Sequence, residues 1–226
     1  MKTVYLFGDS IGLGIVTDEN GRYHISKNSW VSILEANHYS INNYSCIGYT
    51  TKNGIEKLRK AETAPGNICL LEFGGNDCDL NWNEVANTPS VYHQAKIEPE
   101  AFAENLRLLI NESRDKGLTP VLLSPIPILA ERYFKWIAQK VEADAVLSYL
   151  VDIEHIYRQQ ESYANIVRYE AQKAECMFVD IRQFFLQQHD LPSLICCDGI
   201  HINEQGHKLY ASIMNEVLSD IVIDGV

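Results

Sequence analysis

Short runs rich in apolar residues recur along the chain at Val4–Phe7, Ser40–Tyr44, Ile68–Phe73, Thr119–Leu123 and Met177–Val179, and each is followed at once by Gly, Ser or Asp. Runs this short, closed by turn-forming residues, predict strands. Between them the apolar positions fall at helical spacing. Trp30–Ala36 follows a capping Ser29, and Thr51–Ala61 follows Gly48. Pro99–Lys116 opens on a first-turn proline, sets Phe102, Leu106, Leu109 and Ile110 on one face, and is stopped by Gly117. Asp152–Glu175, Ile181–Gln188 and Glu204–Leu218, the last capped by Asn203, complete the helices. Strands alternating with helices predict an α/β fold, with a parallel central sheet of about five strands and helices on both faces. No repeat, low-complexity segment or linker divides residues 1–226, so one domain is expected.

Composition changes this picture little. A 226-residue chain that is 46% hydrophobic and 22% charged is ordinary for a globular protein, and its size allows a large core without staples. The net charge of -11 argues against a nucleic-acid partner, because no surplus of Lys and Arg is available to displace counterions from phosphates. None of the six cysteines forms a C-x-x-C pair, and Cys69 and Cys176 sit in or beside apolar runs, which suits reduced, buried thiols. Met1-Lys2-Thr3 leads straight into the first strand with no leader-like segment, and no apolar run is long enough to span a bilayer. A cytoplasmic protein is expected.

Ligands of open parallel sheets bind beyond the carboxyl ends of the strands, so the chemistry is sought there. After the first strand comes Gly8-Asp9-Ser10-Ile11-Gly12, which has G-x-S-x-G spacing. A serine hydroxyl becomes a nucleophile only when a base takes its proton; otherwise Ser10 is a helix cap. His201 lies three residues after Asp198 in CDGIHINEQGH. In a turn, that carboxylate can reach Nδ1 and leave Nε2 free as a base, although a local capping pair is the plainer reading. His24, His38, His93, His155 and His189 have no such setting, and His207 falls on a face of the last helix. After the third strand, Gly74-Gly75-Asn76-Asp77 offers an amide donor for an oxyanion hole, or simply a tight turn. Gly48 supplies either a backbone N–H to that hole or a turn.

The ordered blocks FGDS, IG, GGND and DGIH resemble those of the SGNH (GDSL-type) hydrolases over essentially the whole chain. The resemblance implies a three-layer flavodoxin-like sandwich with Ser10 as nucleophile and His201 as base held by Asp198. It also implies an oxyanion hole formed by the N–H groups of Ser10 and Gly48 and the Asn76 amide, with no metal or cofactor. An α/β-hydrolase elbow would need strands and an oxyanion loop upstream of the nucleophile, and only one strand precedes Ser10.

The expected reaction is hydrolysis of a small-molecule ester, of the short-acyl type on a polar or carbohydrate-like substrate; the alternative is a thioesterase or lysophospholipase acting on longer chains. A metallophosphoesterase would need two ligands two residues apart after the first strand, and Asp9-Ser10-Ile11 supplies one. A non-catalytic binding module would have no use for serine, asparagine, aspartate and histidine together. Selectivity is assigned to the long connections Asp18–Asn28, Asp79–Ile97 and Pro125–Leu150. The first two mix Asn20, Arg22, His24, Asn81, Asn83, Asn87 and His93 with Tyr23, Trp82 and Tyr92, which suits a hydroxyl-rich ligand as well as mere loop solubility. In the third, Tyr133, Phe134 and Trp136 have helix-like spacing and are expected to bury against the sheet.

Overall fold

In the computed structural model, which describes residues 3–18 and 20–223, the first half of the chain forms β1 (Thr3–Gly8), α1 (Ser10–Leu13), β2 (Ile15–Thr17), β3 (Tyr23–Ile25), α2 (Trp30–Ala36), β4 (Ser40–Asn43), α3 (Thr51–Lys60), β5 (Ile68–Glu72), α4 (Trp82–Asn87) and α5 (Pro99–Asp115). The second half forms β6 (Thr119–Leu123), α6 (Ala130–Ile137), α7 (Ala143–Leu150), α8 (Glu154–Lys173), β7 (Met177–Val179), α9 (Ile181–Leu186) and α10 (Glu204–Ile223). The five expected strands pair in parallel in the order β4-β1-β5-β6-β7. Counting sheet strands alone, this is the flavodoxin-like order 2-1-3-4-5. β1 shows why these runs are apolar without alternation. Val4 and Leu6 pack into the core that contains α2, α9 and α10, while Tyr5 and Phe7 pack into the core that contains α3, α5 and α8. A strand covered on both faces has no polar face to show.

The strand order reverses between β1 and β5, and there the rule for open sheets places the ligand crevice. A third core lies above the carboxyl ends, built by Leu80, Val85, Ile128, Ile137, Val146, Leu150 and Ile156. α6 and α7 belong to it. This corrects the expectation for Pro125–Leu150: Tyr133 and Phe134 pack on this upper cluster, not on the sheet. The β2–β3 hairpin, whose second strand lies in the connection Asp18–Asn28, is antiparallel and separate from the main sheet.

α10 returns the end of the chain to its beginning by packing on α2. Trp30 stacks on Tyr210 with ring centroids 4.7 Å apart and donates its indole N–H to the Ile11 carbonyl at 3.0 Å, so the C-terminal helix braces the turn after β1. His207, on the inward face of α10, is fully buried, and its Nδ1 accepts the Trp30 N–H at 3.4 Å. Burial pulls its pKa from 6.5 down to about 4. The unfolded chain therefore binds the extra proton between those values, and stability falls as pH drops from 6.5 towards 4. His207→Gln removes this dependence. Between pH 7 and pH 4, denaturant melts of the variant and of wild type should converge, or cross in the variant's favour, by about 3 kcal/mol. A constant gap would assign the acid sensitivity elsewhere.

Candidate active site

β1 ends at Gly8, and Asp9 caps the single turn of α1 by accepting the Ile11 N–H at 2.9 Å, which leaves Ser10 at the head of the turn. Gly14 closes the turn at φ 86°, where a Cβ would sit 2.4 Å from that of Ser29. The Asn43 amide donates to the Gly12 carbonyl at 2.8 Å, so β4 holds the turn from its other side.

Asp198 and His201 arrive on a tight loop before α10. Ile195 and Ile202 form an isolated antiparallel bridge, and the Cys196 N–H donates to the His201 carbonyl at 2.7 Å. Gly199 lies at φ 81° between them, and a Cβ there would stand 2.5 Å from the Tyr133 nitrogen. Its carbonyl accepts the Leu129 N–H, tying this loop to α6. Asp198 Oδ1 accepts the N–H groups of Ile200 and His201, both at 3.1 Å, while Oδ2 accepts the Thr17 hydroxyl at 2.8 Å. Oδ2 also lies 2.6 Å from His201 Nδ1, and His201 Nε2 lies 2.8 Å from Ser10 Oγ. All three side chains are buried, Asp198 completely. Burial pushes the Asp198 carboxyl up, but the hydrogen bond and charge of His201, with the two backbone N–H groups, outweigh it and hold it below the usual carboxylate range. An ionised Asp198 fixes the proton on Nδ1 and leaves Nε2 free to accept one from Ser10.

Asn76 stands beside Ser10 after β5 and spends one amide N–H on Asp9 Oδ2 at 3.0 Å, leaving the other free. The adjoining Asp77 reaches across to α3. Its Oδ1 accepts the Thr51 N–H at 2.9 Å and the Thr51 hydroxyl, which fastens the Asn76 loop to the start of α3. Burial raises this carboxyl to about 6 against the pull of Thr51. Gly48 has φ 75° in the exposed loop after β4 and does not line the cavity beside Ser10 and His201. The structure thus brings Ser10, Asn76, Asp198 and His201 into one cavity or its immediate wall and leaves Gly48 in the neighbouring loop.

The cavity measures about 80 Å³, and its apolar wall comes from Ile11, Ile126, Ile128, Ile156 and Ile200. A second, open groove of about 460 Å³ shares Trp82, Tyr133 and Ile200 with it and adds Tyr23, Trp136 and Lys140. Tyr23 stands edge-on to His201 at 5.0 Å, so this groove lies on the His201 side of Ser10. Asp79 Oδ1 anchors the shared wall, accepting from Tyr133 Oη at 2.8 Å and Trp82 Nε1 at 2.9 Å. Of the polar and aromatic loop residues expected to select substrate, Tyr23, Asn81, Trp82 and Asn83 line the groove, whereas Tyr92 turns away to hydrogen-bond Glu98. Thr17, Asp79 and Glu72 carry no sequence signal beyond their residue type and are found only from their contacts. Among the described residues, no cluster of three His, Cys, Asp or Glu side chains could hold a metal ion, and no helix is long and apolar enough to cross a membrane.

A model of the GDSL-like Lipase/Acylhydrolase family matches residues 6–209. The fold is similar to that of a lipase/acylhydrolase from Enterococcus faecalis, with 17% identity, 98% of this chain and 95% of that chain covered, and a TM-score of 0.68. A member of the lipolytic protein G-D-S-L family from Veillonella parvula gives 16% identity, 97% and 99% coverage, and a TM-score of 0.67. Esterase EstA from Pseudoalteromonas, in a structure inhibited by monoethylphosphonate, gives 13% identity, 98% and 99% coverage, and a TM-score of 0.61. No curated protein matches the chain in sequence.

Proposed function

The chain belongs to the GDSL-like lipase/acylhydrolase family, and from that premise we propose that it hydrolyses short-acyl esters of a polar, carbohydrate-like alcohol through an acyl-enzyme on Ser10. The observation that carries the reading is the unbroken relay Ser10 Oγ–His201 Nε2–Asp198, at 2.8 Å and 2.6 Å, in a buried setting. Oγ attacks the ester carbonyl as Nε2 takes its proton, and the carbonyl π pair moves onto oxygen. The N–H of Ser10 and the free N–H of Asn76 receive that oxyanion. Collapse expels the alcohol oxygen, which takes the proton from His201. Water then repeats the sequence and releases the acid.

Because His201 must reach the leaving oxygen, the alcohol belongs on the histidine side, in the groove of Tyr23, Trp82 and Trp136. The acyl group then enters the isoleucine-walled cavity. An apolar cavity of about 150 Å³ takes one benzene, so about 80 Å³ suits an acyl group of roughly two to four carbons. The aromatic faces and the Asn81 and Asn83 amides suit a hydroxylated ring better than an alkyl tail.

A panel of esters of one alcohol with graded acyl length tests this. Acetyl to butyryl esters should be cleaved with kcat/KM within about tenfold of one another, and octanoyl at least about 100-fold less well. A steady gain of about fourfold per methylene would instead reveal a long acyl groove and favour the thioesterase or lysophospholipase reading.

A further inference from the structure

Beneath the nucleophile turn lies a second pair of acids that the reaction leaves unused. Glu72, the last residue of β5, and Asp9 are 3% and 4% exposed, and both line the catalytic cavity. Among the described residues, no lysine or arginine pairs with either. The titratable groups facing them are His201 from the loop before α10, Asp77 from the loop after β5 and the Tyr210 hydroxyl from α10. Glu72 Oε2 accepts the N–H of Asp9 at 3.2 Å and of Gly12 at 3.1 Å, so one oxygen brackets Ser10 from both sides. The flanking glycines make room for it, since a Cβ on Gly8 would lie 2.7 Å from Oε2 and one on Gly12 3.2 Å.

Because Glu72 Oε2 takes the backbone N–H of Asp9 itself, the two buried carboxyls stand side by side, with no cation between them among the described residues. Two adjacent buried carboxylates without a counterion cannot both keep their charge, so the pair holds one proton. Asp9 already accepts at both oxygens, from Ile11 at 2.9 Å and from Asn76 at 3.0 Å. Glu72 uses Oε2 alone for the backbone, which leaves Oε1 to carry the proton. We propose that Glu72 is a positioning residue that stays a neutral acid, donates to Asp9 and thereby fixes the direction of the hydrogen-bond chain Glu72→Asp9←Asn76. With Asp9 held as pure acceptor, Asn76 has to present nitrogen to it, and the second N–H of the same amide points to the oxyanion. A proton on Asp9 instead would let the amide turn over and set its carbonyl oxygen against that oxyanion. Burial raises both carboxyls, Glu72 further because the charge of Asp9 adds to burial, while the Ile11 N–H and the charge of His201 hold Asp9 back.

The inference rests on the oxyanion role of Asn76, but its first test does not use an ester. In protein labelled with carboxyl-¹³C glutamate, one side-chain carboxyl should resonate at the protonated-acid position near neutral pH and be missing from Glu72→Gln. Every glutamate at the carboxylate position would overturn the proposal, whatever becomes of Ser10. Kinetics supply the second test. Glu72→Gln can donate to Asp9 and accept both backbone N–H groups, so kcat should stay within about threefold of wild type, whereas Glu72→Ala should lose at least about 100-fold in kcat with KM little changed. Equal losses in the two variants would also overturn it, and if the alanine variant fails to fold, the carbon spectrum and the glutamine variant still decide.

Discussion

Ser10→Ala should lower kcat on an acetyl ester by about 10⁶-fold, His201→Ala by a similar factor, and the double variant by no more than either alone. The reason is the shared proton: Oγ and Nε2, 2.8 Å apart, are two ends of one transfer, and an isolated serine or an isolated imidazole has nothing to exchange it with. Losses that multiplied in the double variant would mean that the two side chains act independently and would dismantle the relay. A fluorophosphonate probe checks the same point covalently. Oγ displaces fluoride from phosphorus, its proton passes to His201, and intact mass rises by the phosphonyl group. Ser10→Ala should show no adduct, and its folding should be nearly unchanged, since one hydroxyl is exchanged for hydrogen in a site that stays filled.

Asp198→Asn should retain the fold yet lose about 10⁴-fold in turnover, the scale of the same exchange in serine proteases. Asp198 Oδ2 receives both the Thr17 hydroxyl and the His201 Nδ1 proton, and Oδ1 receives two backbone N–H groups, so the carboxylate is an acceptor four times over. An asparagine replaces one of those acceptors by a donor. Whichever way it turns, either the loop loses two backbone bonds or His201 meets an N–H at Nδ1. In the second case the imidazole proton moves to Nε2, where it blocks acceptance from Ser10. A near-wild-type rate in Asp198→Asn would show that the loop, not the carboxylate, orients His201.

The five sheet strands and the helices α2, α3, α5, α8, α9 and α10 were legible because each obeys a single rule. β6 and β7 are apolar runs walled by turn residues, and α5 carries its proline, its apolar face and its terminal glycine in sequence. The hairpin was not legible. Tyr23, His24 and Ile25 are all exposed, so no inward-outward alternation marks β3. α6 follows Pro125-Ile126-Pro127 and buries only Ala130 and Ile137, because its partner is the upper cluster and not the sheet. The site divides in the same way. Ser10, Asn76, Asp198 and His201 could be selected because strand ends converge in a parallel sheet, whereas Glu72 reads as the polar end of an apolar strand and reveals itself only where its carboxyl passes under Gly8 and Gly12. Thr17 reaches Asp198 across 181 positions of sequence, a contact that no local pattern encodes.

The return of α10 to α2 has a further consequence for how activity arises during synthesis. Ser10 leaves the ribosome 191 residues ahead of His201, its proposed base. Contacts of such long sequence separation form late, after the loop they close has lost its freedom. A nascent chain can therefore pair β1 with β4 and β5 and shape the nucleophile turn while still chemically silent. On the proposed relay, ester hydrolysis begins only when the loop before α10 reaches the turn after β1, so the onset of turnover in a refolding or translation reaction times that closure.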